Sequence, residues 1–118
     1  MAATSPTEIV RAFIAHVNDG DLQGIASLLS DTIMFIDAPG RVHRGDKNFM
    51  AGYLSEFPDY RIHARTILQS GDSVAVIGGT TGSHVPPSIE ANETLVWTAE
   101  VREGLIVEWR IYADETHN

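Results

Sequence analysis

The sequence contains no cysteine, which excludes structural disulfides, thiol catalysis and cysteine-based zinc sites. Basic residues are scarce as well: eight Lys and Arg stand against sixteen Asp and Glu, giving a formal charge of −8. Binding to nucleic acid phosphates or anionic membranes relies on Lys and Arg displacing counterions, so this balance argues against both partners. Apolar runs are only a few residues long, whereas a membrane-spanning helix needs about 20. The opening Met1-Ala2-Ala3-Thr4-Ser5-Pro6 has neither the basic start nor the apolar stretch of a signal peptide. The resulting expectation is a soluble, cytoplasmic protein. Asn92-Glu93-Thr94 matches a glycosylation sequon and, without a secretory signal, reads as chance.

Familiar catalytic signatures are equally sparse. No Gly-x-Ser-x-Gly elbow occurs, and no glycine-rich loop opens a helix after a strand. His43, His63, His84 and His117 are scattered without metal-ligand spacing, so no metal site is expected.

What the chain does have is periodicity. Its 118 residues make one domain, 1–118, large enough to form a core without cross-links. Ser5-Pro6-Thr7-Glu8 reads as a capped helix start, and Ile9, Val10, Phe13, Ile14 and Val17 follow at helical spacing up to Asn18-Asp19-Gly20. A shorter helix capped by Asp21 carries Leu22, Ile25, Ala26 and Leu29 as its apolar stripe. A third runs from Gly45-Asp46 through Phe49, Met50, Tyr53, Leu54 and Phe57 to Pro58. Strands are expected at Thr32–Asp37, Tyr60–Gln69, Ser73–Val85, Glu93–Arg102 and Leu105–Ala113, with tight turns at Ser70-Gly71-Asp72 and Glu103-Gly104. Gly78-Gly79 inside a strand marks a bulge or bend. The predicted class is α+β: three N-terminal helices on a strongly curved, mostly antiparallel sheet, with a hollow between them suited to a small apolar molecule.

Four segments carry a resemblance. They are Asn18-Asp19-Gly20-Asp21-Leu22-Gln23-Gly24-Ile25, Phe35-Ile36-Asp37-Ala38-Pro39-Gly40, Arg44-Gly45, and Val107-Glu108-Trp109-Arg110-Ile111-Tyr112-Ala113-Asp114. In this order they resemble the ketosteroid isomerases and SnoaL-like polyketide cyclases of the nuclear-transport-factor-2-like (NTF2-like, cystatin-like) superfamily. That superfold hosts isomerases, cyclases, epoxide hydrolases, dehydratases and proteins that only bind. The resemblance implies the cone fold, cofactor-free chemistry and a homodimer. It also implies that Asp37 stands where the isomerases keep the base that moves a proton beside a carbonyl. Phe13 and Thr98 fall where those enzymes carry a tyrosine and a protonated aspartate as oxyanion donors, so steroid isomerisation of the standard kind is not expected. Tyr53 matches a supporting tyrosine, and Trp109, Ile111 and Ala113 match a pocket wall. The Arg-x-Asp pair of limonene-epoxide-hydrolase-like proteins is absent; Trp97-Thr98-Ala99-Glu100 stands near its place.

Asp37 therefore has two readings. Beside Phe35 it would lose solvation, and its pKa would rise toward a useful base; alternatively it holds the Ala38-Pro39-Gly40 turn. Glu100 is a second candidate acid if a two-residue turn puts it on the face of Thr98 with Val107 or Trp109. His16, three residues past Phe13, is a third candidate through its titration near neutrality. Phe13, Val17, Phe35, Tyr53, Thr98, Trp109 and Ile111 would line the hollow. Under the same register Trp97, Ala99, Val101, Ile106, Glu108, Arg110 and Tyr112 share the opposite face, an apolar strip suited to an isologous dimer. The leading expectation is an isomerase or cyclase acting on an apolar carbonyl compound, with a non-catalytic binding or dimerisation module and an epoxide hydrolase as alternatives.

Overall fold

The computed structural model describes residues 4–113. Helix α1 spans Pro6–Asp19 and opens on a complete capping box: the Glu8 amide donates to Ser5 Oγ at 3.1 Å, and the Ser5 amide donates to Glu8 Oε1 at 3.2 Å. It ends at Gly20, whose φ of 67° lies in the left-handed region that glycine adopts most easily. The Asp21 carboxylate accepts from the Gly24 amide at 3.0 Å and starts α2, Leu22–Ser27. Leu29, expected on this helix, instead opens strand β1, Leu29–Ile36.

The remaining elements are β2 (Val42–Arg44), α3 (Phe49–Glu56), β3 (Arg61–Ser70), β4 (Ser73–Thr81), α4 (Pro87–Glu90), β5 (Leu95–Arg102) and β6 (Leu105–Ala113). The expected strands are present, but β4 stops at Thr81 and leaves its last four predicted residues outside the strand. Strand β2 and the single turn of α4 are additions. All six strands form one sheet in the order β2-β1-β6-β5-β4-β3. Strands β1 and β6 pair in parallel, and every other neighbour is antiparallel. Helix α1 lies across β3, β4, β5 and β6 and covers one face.

The Gly78-Gly79 signal belongs to a bulge on the neighbouring strand. Pairing jumps from Ala64↔Gly78 to Thr66↔Ile77, leaving Arg65 as the extra residue, and a side chain at Gly78 would collide with the His63 carbonyl.

A second bulge decides which residues face the helices. The β5–β6 turn has two residues, Glu103 and Gly104, both with positive φ, and pairs Arg102↔Leu105 and Val101↔Ile106. The next pair is Glu100↔Glu108, so Val107 is the extra residue. One inserted residue moves every later side chain of β6 to the other face relative to a regular ladder. Ala99 consequently pairs with Trp109 and Trp97 with Ile111, and Leu95, Trp97, Ala99, Val101, Ile106 and Trp109 are all buried toward the helices. The expected assignment of faces on β5 is therefore corrected. Trp97, Ala99, Val101 and Ile106 belong to the core, while Thr98 and Glu100 point outward with Glu108, Arg110 and Tyr112.

The core is rich in aromatic residues and deeply buried. Phe13 lies against Trp109 with centroids 4.7 Å apart, and Phe35 stacks on Phe49 at 4.9 Å. Phe13 and Val17 expose none of their surface, and Phe35 and Trp97 only 1% each. Burial of aromatic and aliphatic surface on this scale supplies the main stabilising free energy of such a domain.

Candidate functional site

Asp37 follows β1 directly and continues the alternation of Ile33 and Phe35, which face the helices. Three backbone and side-chain bonds close the turn behind it. The Gly40 amide donates to the Asp37 carbonyl at 2.8 Å, the Asp37 amide donates to the Arg41 carbonyl at 3.0 Å, and the Arg41 amide donates to Asp37 Oδ1 at 2.7 Å. The second oxygen, Oδ2, lies 3.3 Å from His43 Nε2 and 3.4 Å from Arg41 Nε. His43 reaches it because β2 folds back on β1, pairing Phe35↔His43. Its ring packs against Phe49 of α3 with centroids 4.6 Å apart.

The side chains of Asp37 and His43 are 23% and 35% exposed, so the pair sits at a rim between the aromatic core and solvent. Burial tends to raise the Asp37 pKa, but the Arg41 amide, the His43 ring and the Arg41 guanidinium together hold it below the usual carboxylate value. The expected upward shift is thus reversed. The donors of the turn and of His43 together stabilise the ionised form more than partial burial penalises it.

A second polar cluster lies beyond the other end of α3, and sequence reasoning missed it. Glu90, the last residue of α4, is only 6% exposed. Its Oε2 accepts from the Thr80 hydroxyl at 2.7 Å and from the Ser83 amide at 3.1 Å. Burial pushes its pKa up, but the Ser83 and Thr80 donors outweigh that and hold it below the ordinary value. Beside it, Tyr53 of α3 bonds the loop after β4: its hydroxyl accepts from the His84 amide at 3.0 Å and lies 2.8 Å from His84 Nδ1. Burial raises the phenol pKa of both Tyr53 and Tyr60, which meet edge to face at 5.0 Å. These bonds fasten the segment between β4 and β5 to the helices.

Residues 10–109 match the sequence model of the SnoaL-like domain. The chain belongs to the SnoaL-like family. The solved structures similar to it carry the same fold at low identity. One is an uncharacterised cystatin-fold protein from Novosphingobium aromaticivorans (TM-score 0.78, 18% identity, covering 92% of this chain and 98% of that one). Another is a candidate ketosteroid isomerase from Kribbella flavida (0.76, 19%, 96% and 80%). A third is IdmH, a candidate polyketide cyclase from Streptomyces antibioticus (0.75, 22%, 94% and 93%). No curated protein matches the sequence. At these identities the structural likeness shows the NTF2-like, cystatin-like cone and nothing finer.

Within that SnoaL-like frame the predicted residues separate. Phe13 and Val17 on α1 face the sheet and Phe35 and Trp109 on the sheet face the helices, all four buried in the core, with Ile111 packed partly buried against it. Thr98 and Glu100 lie on the outer face; Glu100 accepts from the Ser73 hydroxyl at 2.5 Å and borders a surface groove of about 310 Å³ with Thr32, Met34, Arg44 and Glu108. Neither residue shares a face with Trp109, for the register reason given above. His16 does not reach Asp37's corner: its Nδ1 lies 3.2 Å from Asp21 Oδ2, and the two side chains close over Gly24 where α1 meets α2. Ala113 ends β6, but its side chain, like Asp114 and His117, lies outside the described residues. Among the described residues no three His, Cys, Asp or Glu side chains converge as a metal site would require, and no helix is long and apolar enough to cross a membrane.

Proposed function

We propose that this SnoaL-like protein binds a small apolar carbonyl compound at the Asp37 rim and moves a proton on it without a cofactor, as an isomerase or cyclase would. The observation that carries the reading is the position of Asp37: a carboxylate on the helix-facing side, beside Phe35, His43 and Phe49, at the border of the core with solvent. A carboxylate kept below its usual pKa is ionised at neutral pH and a weak base. It therefore suits a substrate whose C–H is already acidic, such as a β-dicarbonyl or polyketide-like compound. The test is deuterium exchange at the activated carbon of such compounds. Asp37→Asn should lower the rate by about 100-fold or more, the usual contribution of a positioned acid–base group, and an unchanged rate for every accepted compound would sink the mechanism.

One observation favours a second reading, a binding or dimerisation module without chemistry. Both Asp37 oxygens are already engaged by its own turn and by His43, and Phe13 and Thr98 supply no strong oxyanion donor. In that case ligands should bind with no exchange above the solution rate.

A cytoplasmic homodimer formed through the outer sheet face is part of the proposal. That face carries half-buried Val96, Thr98, Glu100, Glu108 and Arg110 with exposed Tyr112. Arg110 stacks over the Tyr112 ring at 4.7 Å, and its Nε is buried without a hydrogen-bond partner among the described residues. A partner's acceptor would satisfy it. Analytical ultracentrifugation should show a dimer that Tyr112→Asp weakens; a monomer at all concentrations would remove this part.

A further inference from the structure

We infer that His43 is the group that exchanges the proton with the bound molecule, and that Asp37 is its positioning residue. This rests on the proton-transfer reading above and names the atom that does the work. Both Asp37 oxygens are already engaged: Oδ1 takes the Arg41 amide, and Oδ2 takes His43 Nε2 with the Arg41 guanidinium alongside. These donors stabilise the carboxylate's charge and so weaken Asp37 as a base. His43 is placed otherwise. Its Nε2 faces Asp37, while its Nδ1 has no hydrogen-bond partner among the described residues, and the ring is one-third exposed.

The tautomer follows from the partner. An ionised carboxylate can only accept, so the bond between the two requires the hydrogen on Nε2. In the neutral ring the lone pair then sits on Nδ1, the end not occupied by Asp37. Phe49, packed on the ring at 4.6 Å, and the short β2 hairpin limit how the imidazole can turn. A carboxylate fixing the tautomer and orientation of an imidazole that does the proton transfer is a recurrent catalytic arrangement.

The step balances without a co-reactant. The Nδ1 lone pair takes the proton from the carbon next to the carbonyl. The C–H electron pair becomes the C=C bond of the enolate, and the carbonyl π pair moves to oxygen. Return of the proton from the imidazolium to the same or a conjugated carbon restores the ring and gives exchange or isomerisation. The imidazolium formed on the way is stabilised by the Asp37 carboxylate it faces.

The tautomer is read directly from long-range ¹H–¹⁵N correlations of His43 at neutral pH. Nε2–H is expected, relaxing to a mixture in Asp37→Asn; an Nδ1–H ring in the unaltered protein overturns the inference whatever the activity. In parallel, α-deuterium exchange of ethyl benzoylacetate, an apolar β-dicarbonyl compound, is followed with the unaltered protein and His43→Gln. The variant keeps the Asp37 carboxylate and is checked for folding by its thermal melt. Loss of about 100-fold or more in His43→Gln supports the inference. Full exchange in that variant sinks it while leaving proton transfer by Asp37 standing. No exchange by the unaltered protein contradicts the proton-transfer reading and this inference together.

Discussion

Asp37 and Glu90 are both carboxylates held below their ordinary pKa, yet their surroundings differ in kind. Glu90 is the more deeply buried, and its partners are a hydroxyl and a backbone amide, groups that hold a charge but do not exchange protons at neutral pH. Asp37 is at the rim, and one of its partners is an imidazole. Burial alone therefore does not mark a working acid. What separates an anchor from a catalytic pair is whether the partner can itself carry a proton and whether solvent or ligand can reach it.

That contrast predicts a double dissociation, with Glu90 governing stability and Asp37 governing chemistry. The largest effect on stability should come from Glu90→Ala, which strands the Thr80 hydroxyl and Ser83 amide and leaves a void. A loss of about 3 kcal/mol is expected in denaturant titration, with exchange activity per folded molecule preserved. A loss below about 0.5 kcal/mol, the range of ordinary surface changes, would make Glu90 no anchor.

Glu90→Gln sharpens the point through pH. Both carboxylates have folded-state pKa values below those of the unfolded chain, so the unfolded state binds more protons as the solution is acidified. Their contribution is present above the ordinary carboxylate range and is lost as pH falls through the folded-state pKa. Thermal melts from neutral to acid pH should therefore show a flatter acid limb in Glu90→Gln than in the unaltered protein. An unchanged limb would mean that Glu90 does not couple folding to protonation.

Smaller again is the stability cost of Asp37→Asn, expected at about 1 kcal/mol from one charge-assisted turn bond. Smallest is Arg41→Ala, a few tenths of a kcal/mol, because the Arg41 side chain is 76% exposed and its charge is screened by water. Reversal of this order in equilibrium unfolding would break the comparison.

The sequence made some of this legible because the signals were local. The capping box at Ser5 and Glu8, the Asp21 cap, the Glu103-Gly104 turn and the full extent of β6 each follow from neighbouring residues. So does the turn held by Asp37. The faces of β5 were not legible, because Val107 looks like any other strand valine and nothing local announces that it is extra. That one residue carried Thr98 and Glu100 away from the proposed hollow and brought Trp97 into the core. Strand β2 has three residues and α4 four, too few for a period to show. Glu90 follows Pro86-Pro87-Ser88-Ile89, and its partners Thr80 and Ser83 are meaningful only once the chain has turned back. His43 is harder still: its link to Asp37 spans six residues and depends on β2 pairing with β1. The only hint was a histidine shortly after a turn built on an aspartate.

The small molecule is proposed to meet the protein at the Asp37 rim. Backbone amide shifts recorded while ethyl benzoylacetate is added test this most directly. The largest changes should fall on Phe35, Asp37, His43, Phe49 and Ile111. Changes confined instead to the outer groove, around Met34, Arg44, Glu100 and Glu108, would contradict it.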